Sequence, residues 1–245
     1  MLAIIGGSGL TNLANLEITH RQVIRTPYGE PSGPLTFGRI RSREIIFLAR
    51  HGYGHTIAPH EVNYRANLWA LQSQGVEDVV AVNSVGGIHA DLGPGVIGLP
   101  DQILDYTHGR KHTYFEGSDR PVTHVDFTLP YCESLRRRCV ASAQRADVPI
   151  VDGGIYAAVQ GPRLETKAEI DRLERDGATM VGMTGMPEAG LARELALCYA
   201  AVTVVANHAA GRGESSQAIE LAAIYQVLEQ GMAKVRLILE ALVTA

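Results

Sequence analysis

The 245-residue chain predicts an α/β fold in one domain around a mixed or largely parallel sheet. Short apolar runs of strand type recur along it, and amphipathic stretches of helical length lie between several of them. No internal repeat, low-complexity tract or Gly/Ser linker divides the sequence, although length alone leaves room for two domains. In open α/β sheets ligands gather beyond the strand ends, so the residues closing each apolar run matter most.

The strand-type runs are residues 2–5, 45–49, 78–83, 155–159 and 202–206. A first helix is expected over 63–74, "NYRANLWALQSQ", closed by Gly75, and a second over 165–174, "ETKAEIDRLE", closed by Gly177. A third covers 187–199, "PEAGLARELALCY", with Pro187 at its first helical position. From about 216 to 242, apolar residues at helical spacing predict a long terminal helix. Residues 107–130 are polar, rich in His and aperiodic. They read as a long loop, a kind of segment that is often functional.

Composition narrows the function. Hydrophobic residues at 46% and charged residues at 20% are globular values, not those of a disordered chain. A formal net charge of -4 argues against a dedicated nucleic-acid or membrane-surface binder. Cys132, Cys139 and Cys198 are an odd set without C-x-x-C spacing, so no disulfide framework is expected and a reducing cytoplasm fits. The start "MLAIIGGSGL" lacks the basic and long apolar regions of a signal peptide, and no apolar run approaches the roughly 20 residues of a membrane span.

Five stretches carry candidate chemistry. Gly6-Gly7-Ser8-Gly9 follows a strand but lacks the third Gly of a dinucleotide fingerprint and the Lys of a P-loop. It reads as a tight strand-exit turn, or as backbone amides and the Ser8 hydroxyl set around an anion. Arg50-His51 closes "IIFLARHG". A guanidinium there matches phosphate oxygens, or else pairs with a carboxylate at a domain surface. His51 and His55 are four apart, as are His108 and His112, yet no carboxylate spacing completes a metal site, and no metal is expected. "VNSVGGIHADLGPG" offers Asn83, Ser84 and two glycines, as an anion contact or an ordinary Gly turn. In "VQGPRLETKAEI" and "VGMTGMPEAGLARE", Glu165 could cap a helix or accept an N–H from a ligand, and Thr184 could be an N-cap or an anion donor. The run Arg136-Arg137-Arg138 reads as a solvated helix face.

The co-linear order of "GGSGL", "ARHGYGHT", "NSVGGI", "GPRLETKAE", "GMTGMPEAGLARE" and "VVANHA" resembles the trimeric purine nucleoside phosphorylase and methylthioadenosine phosphorylase family over nearly the whole chain. The resemblance implies a single nucleoside phosphorylase domain over 1–245 with a mixed, partly barrel-like central sheet flanked by helices. It implies a homotrimer with active sites near subunit boundaries, and phosphorolysis of purine nucleosides without metal or organic cofactor. Inorganic phosphate is then a co-substrate, held by Ser8, Arg50, His51 and Thr184 with help from Asn83 and Ser84. Asn83 stands where the methylthioadenosine enzymes have Thr. Met183 is implied to lie against the ribose.

For the base site, the resemblance turns on two absent carboxylates. The adenine-specific branch carries Asp where this chain has Asn207 and Ala209. Asn207 resembles the Asn of the inosine/guanosine enzymes, whose amide can donate and accept at a purine O6/N7 edge and stabilise charge on the leaving base. Glu165 likewise resembles the Glu that accepts N1–H of a 6-oxopurine. At the 5′ end, Leu221 stands where those enzymes have a His for the ribose hydroxyl. With Ile224 it forms an apolar wall suited to a methylthio group. His124 resembles a residue donated across the trimer interface. A 6-oxopurine reader joined to an apolar 5′ pocket implies S-methyl-5′-thioinosine as substrate. The rival readings are a general inosine/guanosine phosphorylase, a nucleosidase using water, and a non-catalytic nucleoside-binding protein.

Overall fold

The computed structural model describes residues 1–10, 13–117 and 121–244. In chain order the elements are β1 (Leu2–Gly6), β2 (Glu17–Gln22), β3 (Leu35–Ile40), β4 (Arg43–Ala49), α1 (Tyr64–Ser73), β5 (Asp78–Gly87), β6 (Ile97–Leu99) and β7 (Gln102–Asp105). There follow α2 (Glu133–Arg145), β8 (Ile150–Asp152), β9 (Ile155–Ala158), α3 (Lys167–Arg175), β10 (Met180–Gly182), α4 (Gly185–Glu194), β11 (Cys198–His208) and α5 (Leu221–Val243).

One mixed sheet organises the chain. β5 is its hub, because it runs parallel to β1 along its first half, parallel to β11 along its whole length, and antiparallel to β10 at Gly86-Gly87. The barrel-like part closes through two bent strands. β6 pairs with β11 and β8, while β7 pairs with β9, which pairs with β10. The bend between β8 and β9 falls at Gly153 and Gly154, both at positive φ. Only residues without a Cβ adopt that backbone readily. The circuit β5–β11–β6/β7–β8/β9–β10 returns to β5, and β1, β4, β3 and β2 extend it as an open wing.

Each face is covered by helices. Leu228, Met232, Val235 and Leu239 of α5 pack with Leu135 and Cys139 of α2 against Val80, Val202 and Val204. On the other face Leu68 and Leu71 of α1 and Leu191 of α4 meet Ile5, Leu48 and Tyr199. The helix ends follow local chemistry. Asn63 caps α1 by accepting from the Ala66 amide, and Thr166 and Glu169 form a complete capping box on α3. Glu165 therefore stands just outside the helix and does not cap it.

Several expectations are corrected. The third helix ends at Glu194, because Ala196 turns left-handed and Cys198 and Tyr199 pair in β11 with β5. Their apolar spacing fits either period. Met186, forced from helical geometry before Pro187, leaves Pro187 to open the regular turns. Gly86 and Gly87 are strand residues, not a turn. A Cβ on Gly87 would lie 1.7 Å from the Leu92 carbonyl oxygen. Of the basic run, Arg137 and Arg138 are exposed as expected, pairing with Glu133 and Asp78, whereas Arg136 is buried against Glu133 and Asp152. Cys132 and Cys198 form a disulfide although 66 residues separate them, and Cys139 is free and buried. Their proximity comes from the packing of α2 on β11, which no spacing rule encodes. The long loop is present between β7 and α2, with 118–120 outside the described residues. Among the described residues no helix is long and apolar enough to cross a membrane.

Candidate active site

The strand ends converge on a cleft of about 900 Å³. Ser8, Arg50, His51, Ser84, Met183, Thr184, Glu165, Asn207, Leu221 and Ile224 all line it. Asn83, Ala209 and His124 do not.

At the inner end the β1 exit brings backbone and guanidinium together. A Cβ on Gly7 would lie 2.9 Å from Arg50 Nη1 and 2.5 Å from the Val82 carbonyl oxygen, so this turn needs glycine to let Arg50 pass. Arg50 is fully buried. Its Nε and Nη2 donate to the two Glu188 carboxylate oxygens at 2.7 and 2.8 Å, and Nη1 donates to Val82 O at 3.0 Å. Tyr199 adds a hydroxyl hydrogen bond of 2.8 Å to Glu188. The Arg–carboxylate pair considered for the surface thus exists in the interior. Burial works against the Arg50 charge, but Glu188 outweighs it, so the pKa is held above its ordinary value.

His51 Nδ1 lies 2.8 Å from the Ile57 carbonyl. A carbonyl only accepts, so Nδ1 carries the proton and Nε2 is the free nitrogen. Burial, then the Arg50 charge, pulls the His51 pKa down to about 4 against the Ile57 hydrogen bond. Beside it His55 holds a left-handed φ of 51°, with Nε2 3.4 Å from Ser8 Oγ and ring centroids 4.8 Å apart. The two histidines that invited a metal reading share the cleft. Among the described residues, no group of three His, Cys, Asp or Glu could hold a metal ion.

Thr184 starts α4 without a side-chain cap bond. Its hydroxyl instead accepts from Asn83 Nδ2 at 2.8 Å. Asn83 stands behind Thr184, buried, with Oδ1 unpartnered. Arg110, from the long loop, clamps the two segments flanking the cleft. It donates to the carbonyls of Met183, Met186, Val159 and Gln160 and to the Gln160 side chain.

At the other end Asn207 and Glu165 face the space. β11 slips register against β5 between Val205 and Asn207, and such a bulge re-aims the side chains that follow. The Asn207 amide donates to His208 O at 2.6 Å, which leaves one N–H and Oδ1 for the cleft. Burial raises the Glu165 pKa, reinforced by Glu169 and opposed by its own backbone amide and Arg163. Glu165 also borders a smaller cavity of about 390 Å³ beside α3. Ala209 is buried behind β5, close to Gly86. Leu221, 62% exposed, and Tyr225, 75% exposed, sit at the mouth with Ile224. His124 is exposed on the long loop.

Sequence reasoning missed Glu188, Arg110, Tyr225 and the place of His55. The one local signal for a buried ion pair is that Glu188 stands in α4 among Gly, Met, Pro, Ala and Leu, with the next charged residues only at Arg193 and Glu194. Nothing local marked Arg110.

The comparisons settle the family. The model of the Phosphorylase superfamily matches residues 1–244. This chain belongs to the phosphorylase superfamily. Among its relatives, a probable S-methyl-5′-thioinosine phosphorylase of Pseudomonas syringae pv. tomato is 52% identical over 243 residues, covering 99% of this chain and 98% of that one. A 6-oxopurine nucleoside phosphorylase of Pyrococcus furiosus is 44% identical over 215 residues, covering 86% and 80%. The phosphorylase fold is also that of methylthioadenosine phosphorylase from Schistosoma mansoni in complex with adenine. That structure matches with a TM-score of 0.95 at 30% identity, over 99% of this chain and 90% of that one.

Proposed function

We propose that this phosphorylase cleaves the N-glycosidic bond of a 6-oxopurine nucleoside with inorganic phosphate, and that S-methyl-5′-thioinosine is its preferred substrate. The products are hypoxanthine and 5-methylthioribose 1-phosphate. One observation carries the reading: a single cleft joins an amide and a carboxyl (Asn207, Glu165) to an apolar mouth (Leu221, Ile224, Tyr225), with hydroxyls, a guanidinium and a neutral imidazole at its inner end. The names of the relatives at 52% and 44% identity support the same class.

In this mechanism a phosphate oxygen attacks C1′ as the C1′–N9 bond breaks, and the bonding pair leaves with the purine. Ser8, Arg50, His51, Ser84 and Thr184 orient phosphate, with Asn83 acting behind Thr184. Met183 lies under the ribose. Negative charge spreads to the N7/O6 edge, where the remaining Asn207 N–H stabilises it. Glu165 accepts N1–H, and that donor favours its ionised form over the protonated form that burial favours. Adenine has no proton on N1, so the same carboxylate repels it. Ala209, behind β5, contributes by supplying no second carboxylate.

The proposal includes a homotrimer in the cytoplasm that needs no metal or organic cofactor. The exposed apolar residues at the mouth, with Val122 and Leu129 of the long loop at 81% and 60% exposure, support a neighbouring copy that brings its His124 loop over the 5′ end. A substrate panel tests the function. Base release from methylthioinosine should require phosphate and exceed that from inosine and methylthioadenosine by about tenfold or more. Equal rates on methylthioinosine and methylthioadenosine would refute the base reading, and release without phosphate would identify a nucleosidase.

A further inference from the structure

A guanidinium on a long side chain can present any of its edges, so what fixes Arg50 decides how it meets an anion. Three of its five N–H donors are committed, two to Glu188 and one to Val82 O. One donor remains on each terminal nitrogen, and Arg50 lines the cleft beside Ser8, His51 and Thr184. Glu188 does not line the cleft. It is fully buried one turn into α4, and its Oε1 accepts from both Arg50 and Tyr199.

We propose that Glu188, braced by Tyr199, is a positioning residue for the phosphate co-substrate: it holds Arg50 so that its two uncommitted N–H donors face the anion. The inference rests on reading Arg50 as a phosphate ligand. Helix α4 then serves the anion twice, through Thr184 at its start and through Glu188 one turn later. The pair is neutral as a unit, so phosphate meets directed donors more than uncompensated charge. A 1 Å misplacement of such donors can cost about a hundredfold in rate.

Electrostatics and positioning predict opposite signs, which makes the test decisive. Removing a negative charge near the anion with Glu188→Gln should tighten phosphate binding if charge dominates. Positioning predicts a KM for phosphate raised about tenfold or more, with the KM for nucleoside changed less than about twofold. Glu188→Asp keeps the charge but withdraws the carboxylate, and it should also raise the phosphate KM. Tyr199→Phe should raise it by about threefold, and it tests the proposal if neither Glu188 variant folds by circular dichroism and thermal melting. An unchanged or lowered phosphate KM in folded variants overturns the proposal, as does a parallel rise in both KM values. Arg50→Lys separates the two claims. If it leaves the phosphate KM unchanged, the phosphate reading of Arg50 fails and the positioning role falls with it. If it raises that KM while the Glu188 and Tyr199 variants do not, only the positioning role falls.

Discussion

Asn207 owes its place to a slip of register between Val205 and Asn207, and its amide already spends one N–H on His208 O. Asn207→Asp would set a carboxylate oxygen against that carbonyl and remove the donor to the base. It should lower kcat/KM for the oxopurine nucleoside by about a hundredfold and confer no useful activity on methylthioadenosine, because Glu165 still opposes adenine. Steady-state kinetics on both substrates check this. Ala209→Asp would bury a carboxylate among Ile170, Val181 and Ala157, and should destabilise the fold by about 3 kcal/mol or more, read from urea midpoints. Converting the base specificity therefore takes more than restoring two carboxylates. His51 has a folded pKa near 4 against an ordinary 6.5. Between those values the unfolded chain binds more protons, so stability rises with pH through that window and is lost as pH falls from 6.5 toward 4. Chemical denaturation from pH 4.5 to 7 should show His51→Gln with a shallower slope than the parent. The identities of these residues were legible in the sequence. The His51 tautomer was not, because the Ile57 carbonyl that sets it is supplied by a turn.

At the scale of elements, the cleft depends on how two loops are tied to rigid neighbours. The capping box of Thr166 and Glu169 starts α3 next to Glu165. Thr166→Ala should cost about 1 kcal/mol by urea denaturation and raise the KM for nucleoside more than that for phosphate. Arg110 holds the Gln160 segment to the Met183–Met186 segment through four backbone carbonyls. Arg110→Met would leave those acceptors unpaired in the interior. A loss of about 3 kcal/mol or more should appear as a lower urea midpoint, and both substrates should bind less well. Strand and helix assignments came largely from period and punctuation, because Gly75, Gly177 and Pro187 act locally. The strands β3 and β7 escaped notice, as did the weaker β2, β6, β8 and β10. β2 is exposed along its whole length, and the other three have only three residues each, too few to show alternation.

Across the whole molecule, the Cys132–Cys198 disulfide closes a 66-residue separation between the start of α2 and the start of β11. On the chain-entropy account such a loop is worth about 4 kcal/mol. The Cys132→Ser, Cys198→Ser double variant should melt well below the oxidised parent and match the reduced parent. Thiol titration of the unreduced, unfolded parent should count one thiol, from Cys139. A parent insensitive to reductant with three titratable thiols would show the bridge absent in solution. The apolar mouth belongs to this scale as well. If a neighbouring copy covers Leu221 and Tyr225, light scattering should give a trimer, and Tyr225→Glu should weaken it.

The sequence by itself determined the α/β alternation, the strand ends near which Ser8, Arg50 and Asn207 stand, and the chemistry those side chains can offer. These are local properties, written in a period of two or about 3.6 residues and in the glycines and prolines that interrupt it. Only the tertiary structure decided what each side chain meets. Arg50 finds Glu188 138 positions away, and Arg110 reaches carbonyls up to 76 positions away. Asn83 and Ala209 fall behind the cleft they were expected to line. Such partnerships depend on which strands lie side by side and how far each helix slides along the sheet. Packing settles both, and no periodicity in the chain records the answer.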